Sequence, residues 1–320
     1  METFDTDNEQ PNINQGEELP KPVLVQDKKN WIRKSLISLA IYGFLFAILF
    51  NMELVSIAAV LVVLLIHEFG HFFAMKAFNY NNVKMFILPL LGAYVTGKKS
   101  IISQKQMTIV ILAGPVPGII IGFCLLIYNI YHPNEKLEKL GEIFMGLNFF
   151  NLLPFIPLDG GRLLETLFIN QNHVIRIIFT IISIMALLIL AILLKSLFFL
   201  IIPVAMVFDL IMEVKNQKIR EYLTQEKINY TLDYADLPNK DYWIIRDCLL
   251  LSFSKRYSGV QAGVHQYSIA EGGILQHVMS ILKTPYLLDL KAFGKIIVIL
   301  LYITFLIGLP LSYVILKYAH

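Results

Sequence analysis

His67, Glu68 and His71 fall within one five-residue stretch, His67-Glu68-Phe69-Gly70-His71. On a helix, residues four apart lie one above the other, so the two imidazoles point the same way. A pair at that spacing can hold one metal ion. A carboxylate directly after the first His can then act on the water that such an ion activates. These residue types point to metal-assisted hydrolysis, with two nitrogen ligands and a general base. On a soluble helix the same pair is often only part of a polar face. Here it lies inside an apolar run from Leu54 to Met75 that carries no other charged residue. That length suits a bilayer span, and ionisable side chains in hydrocarbon are costly unless partnered. A metal site is the stronger reading.

A third ligand is offered further along. The apolar run Ile143 to Ile169 is interrupted by Asn151-Leu152-Leu153-Pro154-Phe155-Ile156-Pro157-Leu158-Asp159-Gly160-Gly161-Arg162. Two prolines and two glycines cannot continue a regular helix. The segment ends in a carboxylate within an apolar stretch, as a metal ligand would. Asp159 alone reads equally well as the N-cap of a helix from Gly160 to Phe168. Taken with the histidine pair, the ligand reading prevails.

The elements that must position these groups are membrane spans. The chain of 320 residues is 56% hydrophobic and 16% charged, with a mean hydropathy of +0.63. That composition describes a polytopic membrane protein, not a soluble domain with a large core. A net charge of +3 gives no reason to invoke nucleic acid. Cys124 and Cys248 are far apart and form neither a disulfide framework nor a Cys-x-x-Cys metal site.

Residues 1–30 read as a disordered tail with no signal peptide; Lys28-Lys29 close it and Arg33-Lys34 follow before the first apolar run, Ser35 to Phe50. Positive charge there places the N-terminus in the cytoplasm. The motif helix then returns toward the cytosol, with His67 about 12 Å from its cytoplasmic end. Val83 to Gly97 is too short for a helical span and is broken by Pro89 and Gly92. It reads as a hairpin or re-entrant loop. Met107 to Tyr128 is a span with Ala113-Gly114-Pro115-Val116-Pro117-Gly118 inside it, where small residues permit close packing and prolines kink the helix. Val174 to Leu194 and Ser196 to Met212 complete a core of six spans over 31–213. Residues 214–290 shift to polar composition and form a small helical extension, cytoplasmic by the topology count. His265 and His277 within it read as ordinary surface histidines. Residues 291–320 carry a seventh span, Ala292 to Leu316. The fold class is all-α polytopic, with a membrane hairpin.

HEFGH (His67 to His71) and NLLPFIPLDGG (Asn151 to Gly161), each in its own apolar run, resemble the site-2 protease family of intramembrane zinc metalloproteases. PLLGAYVTG (Pro89 to Gly97) is similar to that family's membrane hairpin, and AGPVPG (Ala113 to Gly118) to its glycine-proline segment. The resemblance spans roughly residues 54 to 212. It implies one zinc ion held by His67, His71 and Asp159, with Glu68 as base and Asn151 positioning the substrate carbonyl or stabilising its oxyanion. It also implies substrate pairing along the hairpin, at Met85, Phe86, Ile87, Gly92, Ala93, Tyr94 and Val95. Phe155-Ile156 stands where the family commonly has a small apolar residue and proline, which affects only the local turn. The implied partners are the lipid bilayer and membrane-spanning protein substrates, such as anti-sigma factors or signal-peptide remnants. The implied setting is a bacterial cytoplasmic membrane. A metal transporter would also use broken helices and buried charge, and an idle scaffold would keep the ligands without the chemistry. Glu68 beside the His pair favours hydrolysis over both.

Overall fold

The computed structural model describes residues 19–23, 33, 37, 53–88, 92–169, 172–195 and 200–319. Among them, four helices are long and apolar enough to cross a membrane: Leu54–Ala77, Gln104–Tyr131, His173–Leu193 and Ala292–Ala319. The chain is thus an all-α polytopic membrane protein in class. The first apolar run, 35–50, lies outside the described residues except for Ile37.

Helix α1 (Leu54–Ala77) has no proline and one glycine over 24 residues, so nothing interrupts it before Asn79. That residue adopts φ 58°, a left-handed conformation that Asn tolerates and that ends helices. Strand β1 (Asn81–Leu88) then pairs antiparallel with β2 (Gly92–Lys98) in the register Met85↔Val95, Phe86↔Tyr94, Ile87↔Ala93 and Leu88↔Gly92. This hairpin packs along α1. A short strand, β3 (Ile102–Ser103), leads into α2 (Gln104–Ala113), whose first turn is capped by the Ser103 hydroxyl accepting from Gln106 N. Helix α3 (Pro115–Tyr131) continues the same span after a kink at Gly114-Pro115.

Helix α4 (Glu135–Asn151), capped by the Asn134 carboxamide, returns against α3 over a short loop. The seam is built on glycine. A Cβ on Gly118 would lie 2.1 Å from Asn148 Nδ2, and one on Gly122 would lie 2.8 Å from the Met145 backbone nitrogen. Close approach of this kind is how apolar helices gain dispersion contacts where water gives no driving force. After the irregular 152–158 segment come α5 (Asp159–Leu164), a π turn over Glu165–Ile169, and α6 (His173–Leu193).

Helix α7 (Ile201–Gln225) begins apolar and ends polar, and the boundary between two compact units falls inside it, at Val207/Phe208. One unit comprises residues 31–207 and 286–320. Its last span, α10 (Ala292–Ile303) and α11 (Leu309–Ala319) joined by a π turn, is mostly exposed and reaches the core through Tyr302. Tyr302 is buried with Ile119, Leu126, Leu152 and Leu163, and its hydroxyl donates to Leu152 O at 2.7 Å. Strand β4 (Tyr286–Leu287) pairs in parallel with β3, and Asp289 accepts from the Ser103 hydroxyl and from Lys105 N.

The other unit comprises residues 208–285 with the described part of 1–30. Helices α8 (Asn239–Ser252) and α9 (Glu271–Ile281) bury Tyr242, Trp243, Leu249, Ile274 and Val278. Arg246 and Glu271 form a fully buried ion pair at 3.0 Å. Every part of it is met: Tyr242 Oη donates to Glu271 Oε1, Ser268 N and Oγ donate to Oε2, and Arg246 also donates to Gln266 O. His277, expected on the surface, is instead buried against Phe253 and Tyr257. It shares the inner face of α9 with Ile274, Val278 and Ile281. Burial, with the Arg256 and Lys215 cations nearby, holds its imidazole down at about 4. His265 remains exposed, stacked on Trp243 and paired with Asp247. Residues 19–23, whose composition reads as a disordered tail, lie against this same core.

Removing one partner of a satisfied buried ion pair leaves the other charge uncompensated. Glu271→Ala is therefore expected to destabilise the 208–285 unit by about 3–5 kcal/mol. Denaturant unfolding followed by hydrogen exchange in α8 checks this; a loss below about 1 kcal/mol would mean the pair does not anchor the unit.

Candidate metal centre

The histidines expected to act together are both buried on α1 (His67 3% and His71 9% exposed), one turn apart, with ring centroids 4.9 Å from each other. Their outer nitrogens are held. His67 Nδ1 lies 2.8 Å from Asn148 Oδ1. The Asn148 amide nitrogen donates to Phe144 O at 2.8 Å, which fixes the amide so that Oδ1 faces the ring. Oδ1 can only accept, so His67 Nδ1 carries the proton. His71 Nδ1 lies 2.8 Å from Val110 O, and a carbonyl again forces the proton onto Nδ1.

In the neutral imidazoles both Nε2 atoms then turn lone pairs inward. They stand 3.1 Å apart, and Asp159 Oδ2 lies 3.0 Å from His67 Nε2 and 3.3 Å from His71 Nε2. With both imidazoles neutral, three electron-pair donors converge at this point. Such an array repels itself unless a cation sits among them. Ligand atoms about 2.0–2.2 Å from one tetrahedral zinc stand roughly 3.3–3.5 Å from each other, close to this spacing. Two imidazole nitrogens and a carboxylate oxygen form a donor set suited to zinc. His67, His71 and Asp159 could hold a metal ion.

Asp159 reaches the histidines because the chain cannot stay helical before it. Pro154 and Pro157 break the backbone, and Gly160 and Gly161 fold onto it so tightly that a Cβ would lie 2.0 Å from Leu152 O and 2.2 Å from Phe155 C. The capping alternative is not what is found. Leu158 occupies the N-cap position, Asp159 is the first residue of α5, and no side-chain cap is made. The carboxylate instead turns to the imidazoles.

The glycine-proline kink, which from sequence needs only a packing role, turns out to border the centre. A Cβ on Gly114 would lie 2.3 Å from His71 Nε2, and one on Gly70 would lie 1.9 Å from Ala113 O. Only glycine lets the kinked span approach the ligand helix this closely. Glu68 is buried at 5% exposure, and its Oε2 has no hydrogen-bond partner. Asn151 is half-buried at the end of α4, donating from Nδ2 to Leu147 O at 3.1 Å. Met85, Phe86 and Ile87 lie on β1, and Gly92, Ala93, Tyr94 and Val95 lie on β2, all within the paired register. The structure thus gathers His67, His71, Asp159, Asn148 and the Val110 carbonyl, while the hairpin residues form a separate element along the same helix.

The sequence marks Asn148 only weakly. Its one signal is a carboxamide in an apolar run, three residues before Asn151. Which histidine it meets depends on how α4 packs against α1, and sequence periodicity does not encode that.

Known proteins share part of this chain. The model of Peptidase family M50 matches residues 55–142, a stretch that includes both histidines, the hairpin and the kink and stops short of Asp159. Stage IV sporulation protein FB of Bacillus subtilis is 32% identical over 119 residues, covering 36% of this chain and 41% of that protein. A zinc metalloprotease of Methanocaldococcus jannaschii is 30% identical over 126 residues, covering 38% of this chain and 34% of that protein. The chain thus matches less than half the length of either relative.

Groups that orient a metal-binding imidazole typically contribute 10–100-fold in metal affinity. Asn148→Ala is expected to weaken zinc binding by about that factor, without loss of helix content, in a competitive chelator titration. Unchanged affinity would mean that His67 is oriented by packing alone.

Proposed function

We propose, on the premise that the chain belongs to the site-2 protease family, that it is an intramembrane zinc metalloprotease. It would hydrolyse peptide bonds in or near the membrane-spanning segments of protein substrates. One observation carries the reading: His67, His71 and Asp159 converge three electron-pair donors beside a buried carboxylate, Glu68, whose Oε2 has no hydrogen-bond partner. A transporter needs ligands along a route, whereas here they meet at one point.

His67, His71 and Asp159 are the groups that hold zinc in this proposal. Zinc bound there supplies Lewis acidity, which makes water nucleophilic near neutral pH and polarises a carbonyl. Glu68 Oε2 takes the proton from the attacking water and delivers it to the leaving nitrogen. Asn151 sits at the break between α4 and the Pro154–Pro157 segment. On releasing Leu147 O, its amide can donate to the substrate carbonyl as negative charge develops on that oxygen. Burial of the site raises the worth of each such interaction by excluding water.

A helical substrate hides its carbonyls in its own hydrogen bonds and must unwind before attack. The β1–β2 hairpin is two-stranded, so its outer edges offer main-chain groups to which an unwound segment can add as a further strand, restoring its hydrogen bonds. In this reading Met85, Phe86 and Ile87, or Gly92, Ala93, Tyr94 and Val95, line the substrate path. The substrates are single-span proteins with helix-breaking residues near the cut, membrane-tethered regulators such as anti-sigma factors or remnants of signal peptides. The setting is a bacterial cytoplasmic membrane, with the N-terminus and the 214–290 extension in the cytoplasm.

Glu68→Gln should leave zinc bound and lower turnover by about 10²–10⁴-fold. Membrane proteomes of cells carrying the wild type or this variant should differ by accumulation of an intact single-span protein in the variant. Identical proteomes, with zinc confirmed in both proteins, would move the reading to transport or scaffolding. Asn151→Ala should slow hydrolysis more than it weakens zinc binding; equal loss of both would remove its assigned role.

A further inference from the structure

Residues 19–22, Leu19-Pro20-Lys21-Pro22, lie extended on the 208–285 unit, more than 200 positions away in sequence. The contact is made almost wholly through main-chain groups of the segment and one ammonium. Trp243 Nε1 donates to Leu19 O at 2.7 Å, Tyr267 Oη to Pro20 O at 2.7 Å, and Tyr234 Oη to Pro22 O at 2.6 Å. The amide of Lys21, the one residue between the prolines, donates to Asn239 Oδ1 at 3.0 Å. Three aromatic donors and one carboxamide thus read the backbone of a segment that proline keeps extended.

The Lys21 side chain is read separately. Its Nζ donates to the carbonyls of Tyr234 at 2.6 Å, Ala235 at 2.9 Å and Leu237 at 2.5 Å, and lies 4.9 Å from the centroid of the Tyr234 ring. An ammonium has three protons, and this cage supplies three acceptors with an aromatic face beside them. Leu19 adds an apolar contact with the core. Partial burial lowers the Lys21 amine, opposed by the Asp236 and Asp233 carboxylates.

Proline fixes φ and lowers the entropy lost on docking, and aromatic grooves with hydrogen-bond donors exploit this to bind proline-flanked peptides. None of the groove's contacts requires covalent continuity with the segment it holds. We propose that this face is a recognition site for an extended Leu-Pro-Lys-Pro type segment. Residues 19–22 are its resident intramolecular ligand, and a protein partner carrying such a segment engages the 208–285 unit by displacing them. The inference is independent of the proteolytic reading, since it uses none of the metal-centre residues.

The test is fluorescence anisotropy with a labelled peptide, Glu-Glu-Leu-Pro-Lys-Pro-Val, on the purified full chain and on a chain lacking residues 1–23. A ligand on the same chain competes at high effective concentration, so the shortened chain should bind the peptide at least about tenfold more tightly. Replacing the peptide's lysine by alanine should abolish that binding. If the shortened chain does not fold, full-length Lys21→Ala keeps the segment but removes the ammonium, and it should bind the unmodified peptide more tightly than the wild type does. Tyr267→Phe, which removes only the hydroxyl on Pro20 O, should weaken the peptide on either background. Equal affinity across these chains, or no binding to any of them, would show that residues 19–22 are a fixed part of the fold.

Discussion

The structure of the membrane unit depends on one electrostatic constraint. His67 Nε2, His71 Nε2 and Asp159 Oδ2 are held within 3.0–3.3 Å of each other, out of water. A buried carboxylate facing two imidazole lone pairs is strongly unfavourable unless a cation joins them. Several features that look unrelated in sequence serve this point. Asn148 and Val110 O fix the tautomers, and Gly118 makes room for Asn148. Gly114 makes room for His71, and the two prolines with Gly160-Gly161 deliver Asp159. Binding energy of an ion held there would then be folding energy for this corner of the molecule, because His67 and His71 come from α1 and Asp159 from α5.

How much of this was legible in sequence depends on whether the information is local. The His67/His71 pair follows from helical spacing alone, and Asp159 from the contrast between helix breakers and their apolar surroundings. The hairpin was readable because Pro89 and Gly92 shorten its run below a span, and β1 and β2 pair as that implies. Asn148 was not readable, since its partner is set by the rotation of α4 against α1, a tertiary quantity. Gly114 reads as a helix-packing residue because nothing local ties it to His71, 43 residues earlier in the chain. His277 reads as a surface residue because a polar side chain on an amphipathic helix usually faces outward, but here the Tyr257 hydroxyl and the Asn216 carboxamide both face its ring.

The two compact units solve different physical problems. In the membrane unit, exposed apolar side chains such as Ile178, Ile182, Met185 and Ile189 on α6 are what a bilayer-facing surface requires. That unit's buried polar side chains include those of the metal centre together with Gln104, Thr108 and Ser183, each hydrogen-bonded to backbone. The 208–285 unit has a water-type core, with aromatic and aliphatic side chains inside and one fully satisfied ion pair. Residues 19–23 belong to that second core although their composition reads as a solvated tail. Their affinity comes from carbonyl groups and a single lysine, which hydropathy does not register.

The measurement that bears most directly on the central claim is zinc K-edge X-ray absorption on the purified full-length protein, beside Asp159→Ala. One zinc per chain bound by two imidazole nitrogens and oxygen, with no sulfur, is expected, with loss of tight binding in the variant. Sulfur ligation from Cys124 or Cys248, or a spectrum unchanged by Asp159→Ala, would contradict it.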